Sequence, residues 1–133
     1  MRVLADFEGT WALVREIVHD DGTRARVTGR VVFTRESDDL SYCESGQMII
    51  GQAAPLTFER RYVWGADLSV YFDDGRFFHH VPPLGGPAHH FCDPDTYEVT
   101  YDFSDWPRWT AHWQVSGPRK GYEMVTRFSP VSA

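Results

Sequence analysis

The sequence predicts an all-β protein, an up-and-down antiparallel barrel of about eight to ten strands. Three observations lead there. Short runs rich in β-branched and aromatic residues recur roughly every ten residues, each bounded by a turn signal, and no helical period competes with them. The connections are too short for parallel crossovers. Almost no proline sits inside a run to blunt an exposed edge, so the edges favour closing on one another.

The runs follow in order. "WALVREIVH" ends at Asp20-Asp21-Gly22, a hairpin signal. "RARVTGRVVFTR" ends at the polar stretch Glu36 to Asp39, and "LSYCES" ends before Gly46. "LTFERRYVW" stops at Gly65-Ala66-Asp67, and "LSVYF" at Asp73-Asp74-Gly75. "RFFHHV" runs into Pro82-Pro83-Leu84-Gly85-Gly86-Pro87. "HHFC" and "TYEVTYDF" are divided by Asp93-Pro94-Asp95, most simply an Asx-type turn. "RWTAHWQV" ends at Gly117-Pro118, where Gly117 to Gly121 makes the last hairpin turn before "YEMVTRF".

The chain has 133 residues, which sets one domain over 1–133 and a core that needs no disulfide staple. Its two cysteines, Cys43 and Cys92, form no CxxC and read as free thiols. Net charge is −6 and the basic residues are scattered, which argues against a nucleic-acid partner. The start has no apolar leader pattern and no run approaches the roughly 20 residues that span a bilayer, so a cytoplasmic protein without a membrane partner is expected. The expected partners are a small-molecule ligand and, beyond it, at most a second copy of the chain as a homodimer. No cofactor is expected.

Alternate side chains on a strand point to opposite faces. Ala25, Val27, Gly29, Val31 and Phe33 share an apolar face against Arg24, Arg26, Thr28 and Arg30. Leu56, Phe58, Arg60, Tyr62 and Trp64 fall together, as do Trp109, Ala111, Trp113 and Val115, and Tyr122, Met124, Thr126 and Phe128. The inward set therefore includes Tyr42, Glu44, Arg60, Tyr62, Trp64, Tyr97, Tyr101, Trp113 and Tyr122. A dry core prefers Leu, Ile and Val, whereas buried Tyr and Trp need partners for their polar tips. An inward Arg60 needs an answer, which is Glu44, water or a ligand anion. A barrel of this strand number has room for one small ligand. Arg60, Tyr62 and Trp113 are the expected anchors for an anionic or aromatic one. The plainer alternative is a filled interior with an Arg60–Glu44 pair.

Gly9-Thr10-Trp11 resembles the Gly-x-Trp opening of the calycins, the lipocalins and fatty-acid-binding proteins. That resemblance implies that a late-strand arginine, Arg127 here, packs over Trp11. "YVW", "DGRFFH", "HFCDPDTY" and "WQVSGPRKGY" resemble, in that order, the blocks of a lipocalin-like family, domain of unknown function 6314. This implies a barrel and no particular activity. It marks Tyr62, Trp64, Asp74, Gly75, Arg76, Phe78, His79, His90, Cys92, Asp95, Tyr97, Trp113, Gly117, Pro118, Lys120 and Tyr122. The Arg-x-Tyr that holds a carboxylate in the last strand of fatty-acid-binding proteins is missing, which argues against a fatty acid.

Four of the six histidines lie between Asp74 and Tyr97. If "RFFHHV" and "HHFC" form a hairpin about Leu84-Gly85, His79 opposes His90 and His80 opposes His89. The family blocks mark His79 and His90, so that pair is taken as the inner one. Three readings stay open: metal binding by His79, His90 and Cys92, or haem held by one histidine; acid–base catalysis by His79 or His90; and plain hydrogen bonding to a ligand. No metal ligand set is committed, because HxC on one strand is no zinc signature. GxSxG and P-loop patterns are missing. Arg76, Arg119 and Lys120 are expected near a mouth that attracts anions. The ligand-binding candidates are thus Tyr42, Glu44, Arg60, Tyr62, Trp64, Arg76, His79, His90, Tyr97, Trp113 and Tyr122.

Overall fold

The computed structural model describes residues 1–131. A single 3-10 turn, Leu4–Phe7, leads into ten strands: β1 Gly9–His19, β2 Arg24–Glu36, β3 Asp39–Ile50, β4 Leu56–Trp64, β5 Ser69–Phe72, β6 Phe77–His80, β7 Gly86–Cys92, β8 Asp95–Asp102, β9 Trp109–Ser116 and β10 Gly121–Pro130. All pairings are antiparallel, in the order β6-β5-β4-β3-β2-β1-β10-β9-β8-β7. The result is the expected up-and-down barrel, closed by β1 against β10 and left unzipped between β6 and β7.

The expected β6–β7 hairpin does not form. β6 pairs only with β5 and β7 only with β8. The proline-rich link between them explains this: Pro82 and Pro83 have no N–H to donate, and Pro87 lies within β7 itself. Proline in a strand marks an edge, and β7 is one.

The expected stop of the third run before Gly46 is also corrected, because β3 continues to Ile50. Gly46 lies directly opposite Gly29. A Cβ on Gly46 would stand 2.2 Å from the Thr28 carbonyl oxygen and 2.6 Å from the Gly29 Cα. The two glycines let β2 and β3 close onto each other at this point rather than ending the strand.

Aromatic side chains cork one end of the barrel. Phe7 is fully buried, with ring centroids of Trp64 and Trp109 at 5.1 and 5.3 Å. Burying one such ring stabilises by roughly 1.5–3 kcal/mol. The Trp11 indole donates to the Phe7 carbonyl at 2.8 Å, tying the 3-10 turn to β1. Arg127 does not pack over Trp11. It sits on the outer face opposite Val14, and the cation–π contact at this end is made by Arg2, 4.4 Å from the Trp106 ring.

Candidate functional site

Above this aromatic cork the interior is hollow. A cavity of about 360 Å³ opens at the end where β3 turns into β4, β7 into β8 and β9 into β10. Five of the six tyrosines border it: Tyr42, Tyr62, Tyr97, Tyr101 and Tyr122. Alternation puts them there. Tyr62 shares the inward face of β4 with Trp64, and Tyr122 shares that of β10 with Met124, Thr126 and Phe128.

A buried ion pair forms the polar wall. Arg15 Nη1 and Nη2 donate to the two Glu44 carboxylate oxygens at 2.5 and 3.0 Å, and Arg15 Nε donates to Thr126 Oγ1 at 2.7 Å. The Tyr42 hydroxyl donates to Glu44 Oε2. Burial works to raise the Glu44 carboxyl, but the Arg15 charge and hydrogen bonds, with help from Tyr42, hold it below its usual value. The same pairing outweighs burial at Arg15 and keeps it charged. Burial pushes the Tyr42 phenol well above its ordinary range, so it remains a donor.

This rules out the alternative of an Arg60–Glu44 pair. Arg60 does lie opposite Glu44 in the β3–β4 register, but Arg15 takes the carboxylate. Arg15 was missing from the sequence-based set although its signal was present. Trp11, Leu13 and Arg15 alternate along β1, and all three are buried. Arg60 borders the cavity as an exposed residue at the mouth, with no carboxylate within ion-pair distance among the described residues. Tyr62, Tyr97, Trp113 and Tyr122 surround that mouth, each half-buried. Lys120 donates to the Tyr97 hydroxyl at 2.9 Å and pairs with Asp95 at 3.1 Å, and those bonds raise its pKa.

His79 reaches the interior through an irregularity. Val70 opposes His79 and Tyr71 opposes Phe77, so Phe78 is the extra residue of a bulge. Strict alternation would send Phe78 and His79 to opposite faces, yet both are buried and both border the cavity. The bulge thus brings Phe78 and His79 to the same side of the sheet. His79 Nε2 lies 2.8 Å from the Tyr101 hydroxyl, with the Trp113 ring 5.1 Å away. Burial, and to a lesser degree the imidazoles of His90 and His80, pulls the His79 pKa down to about 3. The ring is therefore neutral at physiological pH.

Two candidates lie apart from the cavity. Arg76 is exposed, bound to Asp74 at 2.8 Å and laid 5.0 Å from the Phe72 ring. His90 pairs with Tyr97 and contacts Phe78 at 5.2 Å, outside the cavity lining. Cys92 is exposed at the end of β7, and no group of three or more His, Cys, Asp or Glu with metal-holding geometry occurs among the described residues. Among them, no helix is long and apolar enough to cross a membrane.

Comparisons agree with this architecture. The family of unknown function DUF6314 matches residues 7–130. No curated protein matches the sequence. Among solved structures, the S-type phycobiliprotein lyase CPES from Guillardia theta superposes with a TM-score of 0.70 at 10% identity, over 98% of this chain and 91% of that one. At this identity the likeness is one of fold, a lipocalin-like barrel. A looser likeness, with a TM-score of 0.43 and 17% identity over 96% of this chain and 95% of the other, is to EF1p2_mFAP2b bound to DFHBI.

Proposed function

The chain belongs to the DUF6314 family, and on that premise we propose that its barrel is a receptacle for one small ligand, aromatic or conjugated in its body and anionic at one end. The observation that carries this reading is a hollow of about 360 Å³ where a barrel of this size could have been filled with aliphatic side chains. That volume falls in the lower part of the range of ligand pockets, about 300–1,000 Å³. Trp113 and Phe78 stack with ring centroids 5.4 Å apart and the Phe72 ring stacked beyond, an aromatic wall for the body of such a ligand. The charges support an anion. Arg15 and Glu44 cancel and His79 is neutral, which leaves Arg60 as the uncompensated charge at the mouth.

Catalysis by His79 or His90 is the weaker reading. An imidazole with a pKa of about 3 is a poor base at neutral pH. His90 does not border the cavity.

Fluorescence titration with 8-anilinonaphthalene-1-sulfonate tests the proposal, with the uncharged N-phenyl-1-naphthylamine as control. One saturable site is expected. Arg60→Met should weaken the sulfonate about three- to tenfold and leave the neutral dye unchanged. Absence of saturable binding, or a sulfonate affinity indifferent to Arg60, refutes it.

A further inference from the structure

The hairpin that joins β3 to β4 differs from its neighbours. From Ser45 to Phe58 no residue is charged. Every residue from Ile49 to Thr57 is exposed, and the run includes Ile50, Ala53, Ala54, Pro55 and Leu56. Ile49 and Leu56 are 43% and 53% exposed. Other connections at this end of the barrel carry charge, as at Asp20-Asp21, Asp73-Asp74 and Arg119-Lys120. A solvated tip has no need of isoleucine and leucine. A contiguous exposed apolar patch rimmed by polar groups marks an interaction surface.

Beside this tip runs a row of arginines. Arg24, Arg26 and Arg30 take outward positions on β2, and all three are exposed. The Gly51 N–H donates to the Arg24 carbonyl at 2.9 Å, and Arg26 stands opposite Ile49. Cations and apolar tip therefore share one face of the sheet. Among the described residues, none of the three lies within ion-pair distance of a carboxylate. Glu16 stands across from Arg26 on β1 without pairing with it. The outward positions of β2 and β3 hold no carboxylate short of Glu36 and Asp39 at the far end. On the other flank Glu59 is taken by Arg61. Three unpaired guanidinium groups on one face stand out in a chain of net charge −6. Each presents a fork that fits phosphate oxygens.

We propose that the outer face of β2 and β3, together with the β3–β4 tip, docks on an anionic lipid bilayer. Ile49, Ile50 and Leu56 enter the boundary between headgroups and acyl chains, and Arg24, Arg26 and Arg30 meet the lipid phosphates. This goes beyond the receptacle reading and does not depend on it. The pattern of the patch selects the occupant. A bilayer surface offers phosphate and hydrocarbon at adjoining depths, which is what a cation row beside an uncharged tip matches. A nucleic acid would match the arginines and leave the tip without a partner. The docking is through the side of the barrel, because a head-on approach would press Asp20-Asp21 and Asp73-Asp74 against the same anionic surface. The expectation of no membrane partner rested on the lack of a spanning segment, whereas contact with a surface needs only a patch.

The test is flotation of the full chain with vesicles of equimolar phosphatidylcholine and phosphatidylglycerol, beside vesicles of phosphatidylcholine alone. The protein should float with the first and stay behind with the second, and added salt should release it. Arg24→Gln with Arg26→Gln should weaken binding at least tenfold, at about fivefold per arginine. Ile49→Ser with Leu56→Ser should weaken it by a similar factor. Both variants should keep the wild-type circular dichroism spectrum and the wild-type response to 8-anilinonaphthalene-1-sulfonate, which reports on the receptacle separately. In the wild type, where no variant needs to fold, vesicles should slow amide hydrogen exchange between Ile49 and Thr57. Lack of flotation with anionic vesicles, equal flotation with both kinds, or binding indifferent to the arginine pair overturns the proposal. So does dimerisation that Ile49→Ser with Leu56→Ser abolishes, which would assign the face to a second copy of the chain.

Discussion

The depressed pKa of His79 makes a prediction about acid stability. In the unfolded chain the imidazole titrates near 6.5, and in the fold at about 3. Above pH 6.5 both states are neutral and His79 contributes no pH dependence. Between 6.5 and about 3 the unfolded chain takes up a proton that the folded chain refuses, so stability falls as pH falls, by about 1.4 kcal/mol per unit. Acidification from pH 7 to pH 5 therefore costs about 2 kcal/mol through this one side chain, out of the roughly 5–15 kcal/mol typical of a domain. His79 is 3% exposed, so solvent does little to blunt the effect. The assay is urea unfolding at pH 7, 6 and 5, followed by tryptophan fluorescence, on the wild type and His79→Gln. Glutamine keeps an acceptor for Tyr101 and does not titrate. The difference in stability between the two proteins should narrow by about 2 kcal/mol across that range. Parallel pH profiles, or a His79 imidazole proton resonance that titrates near 6.5, would refute the reasoning.

Two further outcomes follow from the interior. Arg15→Met strands the Glu44 carboxylate, which is 1% exposed, and should lower unfolding free energy by about 3–5 kcal/mol in urea; Arg15→Met with Glu44→Leu should recover most of it. Gly46→Ala places a methyl group 2.2 Å from the Thr28 carbonyl oxygen and should cost at least about 1–3 kcal/mol by the same measurement, whereas Gly22→Ala, with open space about its Cα, should show only the strain of its positive φ of 88°.

Local signals in the chain were enough to locate the strands. β4 spans Leu56–Trp64 as read from "LTFERRYVW", and Val27, Val31 and Phe33 face inward as their alternation requires. What failed was non-local. No local signal says whether β6 meets β7 or lies across a seam from it, and the Pro82 to Pro87 link imitates a hairpin turn while removing the donors that one would use. The bulge at Phe78 was equally hidden, because one extra residue reverses every inference from period two beyond it. Arg15 was different in kind. Its place on the buried face of β1 was legible, and the ready presence of Arg60 opposite Glu44 drew attention to the wrong guanidinium. Register names neighbours on a sheet, but a long side chain such as Arg15 reaches past β2 to a strand that register alone does not pair with its own.

The polar atoms explain why the barrel stays hollow. Glu44 accepts from Arg15 twice and from Tyr42 once, so the carboxylate is satisfied without help from a guest. The Tyr62 and Tyr122 hydroxyls at the mouth are a different matter, since hydrocarbon packed against them would leave them unpaired at about 1–3 kcal/mol each. Filling the space with aliphatic side chains would therefore lose on hydrogen bonding part of what it gained on burial. The same balance acts on any ligand. A purely apolar guest of the right volume displaces water from those groups and gives nothing in return, while one with acceptors in register with them keeps both the burial and the bonds. On the receptacle reading, selection in this cavity rests on where the guest places its oxygen atoms, with its bulk a secondary constraint.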